Sequence, residues 1–177
     1  MKKKTLALVL ALTLLMAGVV GGTLAWLTDQ TAEVKNTFTV GDINIGLTET
    51  TADYKMVPGN TIAKDPTVTV KANSEACWLF VKVTESTDLK DFITYAIAEG
   101  WTALPGVDGV YYREVPASAA DQTFSVLAGD AVTVKSDVTR TMLETAKTDA
   151  PTLTFKAYAI QKDHFATADA AWAEVSK

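Results

Sequence analysis

Apolar and polar residues alternate along much of this chain of 177 residues. Over residues 26–40 the even-numbered positions form a partly apolar face and most odd-numbered positions are polar, which predicts a half-buried β-strand. After Gly41 and Asp42 the apolar positions become odd-numbered: Ile43, Ile45 and Leu47. A shift of one residue exchanges the two faces of a strand, so the Gly-Asp pair predicts a bulge or a turn.

Further β-rich runs follow, and short turn signals containing Gly, Pro, Asn or Asp separate most of them. Short strands at such regular spacing are typical of an all-β antiparallel sandwich or barrel. Two segments, residues 137–147 and 167–175, have weak helical periodicity, and Thr167 is suited to cap the second. We therefore predict one or two short peripheral helices. The β-rich runs are residues 67–71, 77–84, 92–98, 101–104, 110–115, 123–127, 131–135 and 152–161. The last is the longest of these runs, and it places Leu153, Phe155, Ala157 and Ala159 on one face.

The first 25 residues have the order of a secretory signal peptide, and we expect them to form an N-terminal signal helix. Three lysines precede a long apolar run, and small residues follow it, so cleavage is predicted between Ala25 and Trp26. The alternative is an uncleaved anchor, since residues 5–27 approach the roughly 20 apolar residues that span a bilayer. We expect a secreted, extracellular protein with a single domain over residues 26–177, which contacts a membrane only through its uncleaved leader.

Charge and cysteine content narrow the possible partners. Loss of the leader removes three lysines, which leaves 13 basic against 21 acidic residues and a net charge of about −8. Such a protein is unsuited to bind nucleic acid or anionic lipid. The single cysteine, Cys77, excludes an intramolecular disulfide. It shares an apolar strand face with Leu79, Val81 and Val83, which predicts a core residue, although pairing between molecules stays open.

Catalytic motifs are not apparent in the sequence. The chain has one histidine, His164, and lacks the HExxH, GxSxG and DxDxDG patterns of zinc proteases, serine hydrolases and calcium loops. We expect no catalytic residue, no metal ligand and no cofactor. The aromatic residues suit a glycan site, but packing within a sandwich is the stronger interpretation. These residues are Trp78, Trp101, Tyr111, Tyr112 and Trp172.

Several short motifs, taken in order, resemble the TasA/camelysin family. They are GTLAWLTD (22–29), NTFTVG (36–41), MVPGN (56–60), KDPTV (64–68), WLFVKV (78–83), GVYYR (109–113), AIQ (159–161) and ADAAW (168–172). Members are exported proteins of Gram-positive bacteria whose leaders are cut by a SipW-type signal peptidase. The resemblance implies a jelly-roll-like β-sandwich that polymerises into cell-surface or biofilm-matrix fibres. Some members carry a metallo-endopeptidase label. This sequence has no recognisable zinc motif, so we do not extend that activity to it.

In fibres of this kind the freed N-terminal segment of one subunit adds as a strand to the next. Residues 26–35 are the candidate donor strand, with Trp26, Leu27, Ala32 and Val34 as its apolar contacts. Such a segment can satisfy its backbone groups on an exposed sheet edge. The alternatives are that it folds back onto its own domain or stays without fixed structure. The partners would be copies of the same chain or related subunits, and the rival functions are a camelysin-like protease and a monomeric extracellular binding module.

Overall fold

The computed structural model describes residues 42–50 and 55–177. The predicted signal helix over residues 1–25, the cleavage pair Ala25 and Trp26, and the candidate donor strand 26–35 lie outside the described residues. The predicted apolar contact residues of that donor strand, Leu27, Ala32 and Val34, also lie outside the described residues. The described residues belong to one compact unit.

Ten strands and three α-helices form within the described ranges. The strands are β1 (Ile45–Thr48), β2 (Thr61–Ala63), β3 (Thr67–Val70), β4 (Cys77–Glu85), β5 (Ile93–Thr94), β6 (Thr102–Ala103), β7 (Val110–Val115), β8 (Gln122–Ser125), β9 (Ala131–Val134) and β10 (Leu153–Gln161). The helices are α1 (Leu89–Phe92), α2 (Arg140–Ala146) and α3 (Ala168–Val175), and a 3₁₀ turn covers Ala128–Asp130.

The strands form three antiparallel sheets. The first has the order β1-β3-β8, the second β10-β4-β7-β6 and the third β2-β9-β5. Most of the predicted runs become strands, and both predicted helices are present. The run over residues 92–98 is mostly wrong, because α1 ends at Phe92 and only Ile93 and Thr94 form a strand. Strand β2 and helix α1 were not expected. The prediction of an all-β antiparallel protein with short helices is confirmed.

The first two sheets share the main hydrophobic core, as two layers of a sandwich do. Alternate side chains of β4, from Cys77 to Val83, pack with Val68 and Val70 of β3. Leu153 and Phe155 of β10 lie against the same cluster, together with Ala157 and Ala159. These are the faces that the alternation predicts, because side chains two residues apart point to one side of a strand.

The opposite face of the second sheet is covered by α3. Phe80 of β4 lies with Trp78, Ala168 and Ala171 in a second cluster, and Trp172 packs on its ring at 5.3 Å between centroids. The Thr167 side chain accepts a hydrogen bond from the backbone N–H of Ala170 at 3.3 Å, so the predicted cap is present. The third sheet has a smaller core of its own, in which Phe92 and Val134 pack with α2.

Two exposed threonines of α2 allow a matched test of helix capping. Thr139 accepts a hydrogen bond from the N–H of Met142 at 3.3 Å, whereas Thr141 lies inside the helix. We expect Thr139→Ala to lower the free energy of unfolding by about 1 kcal/mol, because the N–H loses its partner. Thr141→Ala should leave it unchanged or raise it by up to ~0.7 kcal/mol, since alanine favours helix. Urea denaturation of both variants measures the difference, and equal effects would contradict the capping role.

Candidate functional site

The residues with catalytic potential are dispersed. His164 is exposed in the turn after β10. Among the described residues, no three His, Cys, Asp or Glu side chains are grouped so that they could hold a metal ion. Within the same ranges, no helix is long and apolar enough to cross a membrane.

Cys77 is a core residue, as its strand position predicts. Its side chain is 0% exposed and unpaired, and it packs between the first two sheets. Burial disfavours the thiolate and raises the pKa of Cys77 to about 11. A thiol held in its neutral form inside the core is a poor nucleophile.

The candidate glycan-binding aromatics pack within the protein. Trp78 contacts Tyr112 edge-on at 5.8 Å, and its indole N–H donates to the carbonyl of Phe165 at 3.0 Å. The indole of Trp101 donates to the carbonyl of Ser125 at 2.8 Å. The Arg113 guanidinium lies 3.9 Å from the centre of the Phe124 ring. This agrees with the packing interpretation of these residues.

A shallow cavity of about 410 Å³ has a mixed polar lining, which includes Lys90, Tyr111 and Lys135. The hydroxyl of Tyr95 donates to the Glu85 carboxylate there. Burial, together with Glu85, raises the pKa of Tyr95 well above its ordinary value. Tyr95 and Glu85 therefore satisfy each other within the lining of this cavity.

The edges of the three sheets differ sharply in length. Edge strands β5 and β6 have two residues each, β2 has three, and β1 and β8 have four. Strand β10 has nine, and all nine pair with β4 on one side. No described residue pairs with the other side of β10. Native edges are usually short, charged or interrupted by Pro or a bulge, so a continuous edge of this length is unusual.

The hydrogen-bond pattern identifies which residues of β10 face this open side. The N–H of Ser86 donates to Thr152 at 2.9 Å, and the N–H of Lys162 donates to Ala76 at 2.9 Å. Both pairs continue the pairing register of β10 with β4. Because hydrogen-bonded and non-hydrogen-bonded pairs alternate along an antiparallel ladder, the even-numbered residues of β10 are the ones that bond to β4. The odd-numbered residues direct their N–H and C=O groups to the open side. These residues are Leu153, Phe155, Ala157, Ala159 and Gln161.

Strand β1 presents its own open side across a groove of about 280 Å³. Residues 47–49, at the end of β1, and residues 153–155 of β10 line this groove together with Pro66. At its rim Lys64, only 7% exposed, forms a 2.6 Å salt bridge with Glu49 and lies 5.4 Å from the centre of the Phe155 ring. Within the part of the chain that the structure describes, the groove therefore separates two unpaired edges, one from each sheet of the sandwich.

The two open edges run in opposite directions. At the start of β1 the carbonyl of Asp42 accepts from the N–H of Glu75 at 3.0 Å, and the next residue, Ala76, accepts from Lys162 just after β10. The chain therefore enters β1 at the end of the fold where β10 finishes. At the other end, the last residues of β1 lie across the groove from the first residues of β10.

Sequence reasoning located β10 as the longest run and assigned its inward face, but it did not identify its open side. A pairing edge depends on which distant strands are neighbours, and side-chain alternation does not carry that information. No family model matches the chain, and no curated protein or solved structure matches it either.

Proposed function

We propose that this protein is a secreted structural subunit of cell-surface or biofilm-matrix fibres. Its subunits join when the N-terminal segment, freed by cleavage after Ala25, adds as a strand to a neighbouring copy or a related subunit. The motifs that resemble the TasA/camelysin family support this function. They also support a jelly-roll-like arrangement of the sandwich and processing by a SipW-type signal peptidase.

The single observation that carries the proposal is the nine-residue edge of β10, unpaired among the described residues. An added strand would satisfy the outward N–H and C=O groups, and each ladder hydrogen bond contributes ~0.5–1.5 kcal/mol. Burial of Trp26 and Leu27 would contribute roughly 1.5–3 kcal/mol each. Together these gains offset much of the conformational entropy that a short segment loses when it becomes ordered.

Cleavage of the leader would act as the switch for assembly. Before cleavage the segment is covalently held to the apolar leader, and afterwards it can reach another molecule. This order keeps an adhesive strand away from its acceptor until the protein has been exported. Assembly then needs no cofactor and no catalytic residue in the subunit.

The test compares the mature chain, which starts at Trp26, with a chain that starts at Lys35. We expect fibres by electron microscopy only from the first. A matched control keeps the amino-acid composition of residues 26–34 but scrambles their order, so that the alternation of apolar and polar positions is lost. This control should also fail to assemble. Equal fibre formation by all three proteins would contradict strand donation. A stable monomer of the intact mature chain at high concentration, with a saturable glycan ligand, would favour a binding module instead.

A further inference from the structure

We infer that β10 is the acceptor edge, and that a second copy's residues 26–34 bind antiparallel to it, with Val34 opposite Leu153 and Trp26 opposite Gln161. This inference rests on the proposed function, because it assumes that strand donation joins the subunits. It adds which edge accepts the strand, the direction of the strand and its register.

The choice of β10 follows from how little protects its open side. The other edge strands in the described ranges have two to four residues, which limits the ladder that a partner can form. Strand β8 is also covered in part, since the Trp101 indole donates to Ser125 and the N–H of Ala98 donates to Val126. Strand β10 has no proline and no bulge, and its register with β4 is continuous over nine residues. Lys156 is the one charged residue in it.

The place where the chain enters β1 decides which copy can supply an antiparallel strand. Strand β10 spans roughly 26 Å, at ~3.3 Å per residue. Asp42 lies near the end of β10, because its carbonyl accepts from Glu75 and the N–H of Lys162 donates to the next residue, Ala76. If a copy's own segment lay antiparallel on β10, Val34 would be at the far end. The seven residues between Val34 and Asp42 reach at most about 26–29 Å when fully extended. That leaves no length for a turn, whereas a segment from a second copy has no such constraint.

An antiparallel arrangement also matches the rest of the protein. Each strand pair in the described residues is antiparallel. Parallel ladders are slightly less stable per residue. A segment of the same copy could lie parallel to β10 by turning back into β1, and the experiment below distinguishes that arrangement from ours.

The register is fixed by length and side-chain face. Residues 26–34 and β10 both have nine residues, and only one antiparallel register overlaps them completely. That register places the partly apolar even-numbered positions of the segment on the core side, beside the inward residues of β10. On the outer side it sets Thr31 opposite Lys156, with Asp29 and Glu33 as the diagonal neighbours of the lysine. Opposite charges at these positions favour the pairing.

A disulfide between positions 31 and 156 tests all three features. The N–H and C=O groups of Lys156 bond to β4, so on the open side Lys156 forms a non-hydrogen-bonded pair with residue 31 of the added strand. The Cα atoms of such a pair are about 4.5 Å apart. That separation permits a disulfide. Both side chains would lie on the outer face, so the core is undisturbed. Cys77 stays in place because it is fully buried.

The experiment mixes mature Thr31→Cys with mature Lys156→Cys, allows assembly, and oxidises the sample. We expect a covalent dimer of one chain of each kind, which is absent when either variant is assembled alone and disappears on reduction. The double variant Thr31→Cys/Lys156→Cys should give a ladder of covalent multimers. As the matched control, Thr31→Cys/Thr48→Cys places the second cysteine on exposed Thr48 of β1 and should give no ladder.

Each outcome decides a different claim. Fibres without the 31–156 cross-link would contradict the inferred edge, direction or register, and a ladder from the Thr48 control would place the segment beside β1; strand donation stands in both cases. A disulfide within single chains of the double variant would show that the segment pairs with its own copy. If the intact mature chain forms no fibres, the proposed function fails and this inference fails with it.

Discussion

Replacing Gly109 with alanine is expected to lower the free energy of unfolding by several kcal/mol. Gly109 has φ of +70°, a conformation that costs an L-residue about 1–2 kcal/mol. An added Cβ would also overlap the carbonyl oxygen of Val83, which belongs to the central strand β4. The N–H of Val83 donates to Gly109 at 2.7 Å, so the two backbones have little freedom to separate. Overpacking of this kind adds typically 1–3 kcal/mol.

Gly106 provides the matched control. Its φ is +74°, but nothing lies within 4 Å of the position that an added Cβ would take. Gly106→Ala should therefore cost only the backbone strain, about 1–2 kcal/mol. Urea denaturation of both variants measures the difference. If the two losses are equal, the contact with Val83 makes no contribution, and the close approach of the turn to β4 is not a constraint on the fold.

The turn at Gly109 is a case in which the sequence was sufficient. Asp108 and Gly109 form a local turn signal, and the run that follows becomes β7 (Val110–Val115) with the predicted bounds. The inward and outward residues of β4 and β10 were also predictable, because alternation reflects burial on one face. In each case the deciding interaction is local or depends on the hydrophobic pattern alone.

Sheet membership was not predictable in the same way. The neighbouring runs that became β8 and β9 lie on either side of a short turn, yet they belong to different sheets. Strand β8 pairs with β3, while β9 pairs with β2 and β5. A hydrophobic pattern specifies which face of a strand is buried and leaves its partner undefined. The open edge of β10 was missed for the same reason.

The run at residues 92–98 illustrates tertiary override of local propensity. Its residues favour β-structure, but Leu89 and Phe92 are both buried at the spacing of a helical turn. Phe92 packs with Val134 and Val138 in the core of the third sheet. Burial of these two side chains favours one turn of helix, which includes Phe92 and leaves the strand to begin at Ile93. Propensity is a weak guide wherever a few large side chains decide the packing.

Replacing Phe80 with alanine is the second large effect that we expect, a loss of about 3–5 kcal/mol in the free energy of unfolding. Phe80 is 0% exposed, and its ring lies 5.3 Å from Trp172 of α3 and 6.3 Å from Tyr112 of β7. The truncation would leave a cavity between the second sheet and α3, where the surrounding rings can collapse only in part. Denaturant unfolding measures the loss, and near-ultraviolet circular dichroism reports the change around Trp172.

The matched control is Leu47→Ala on β1, whose side chain is 36% exposed. Because it buries less area and borders the open groove, we expect this variant to lose well under half as much stability as Phe80→Ala. Phe80 lies on the face away from the shared core, so the outward backbone groups of β10 keep their arrangement, and the folded fraction of Phe80→Ala should still accept a donor strand. Loss of assembly by a Phe80→Ala protein that remains folded would mean that α3, rather than the sheet edge alone, maintains the acceptor.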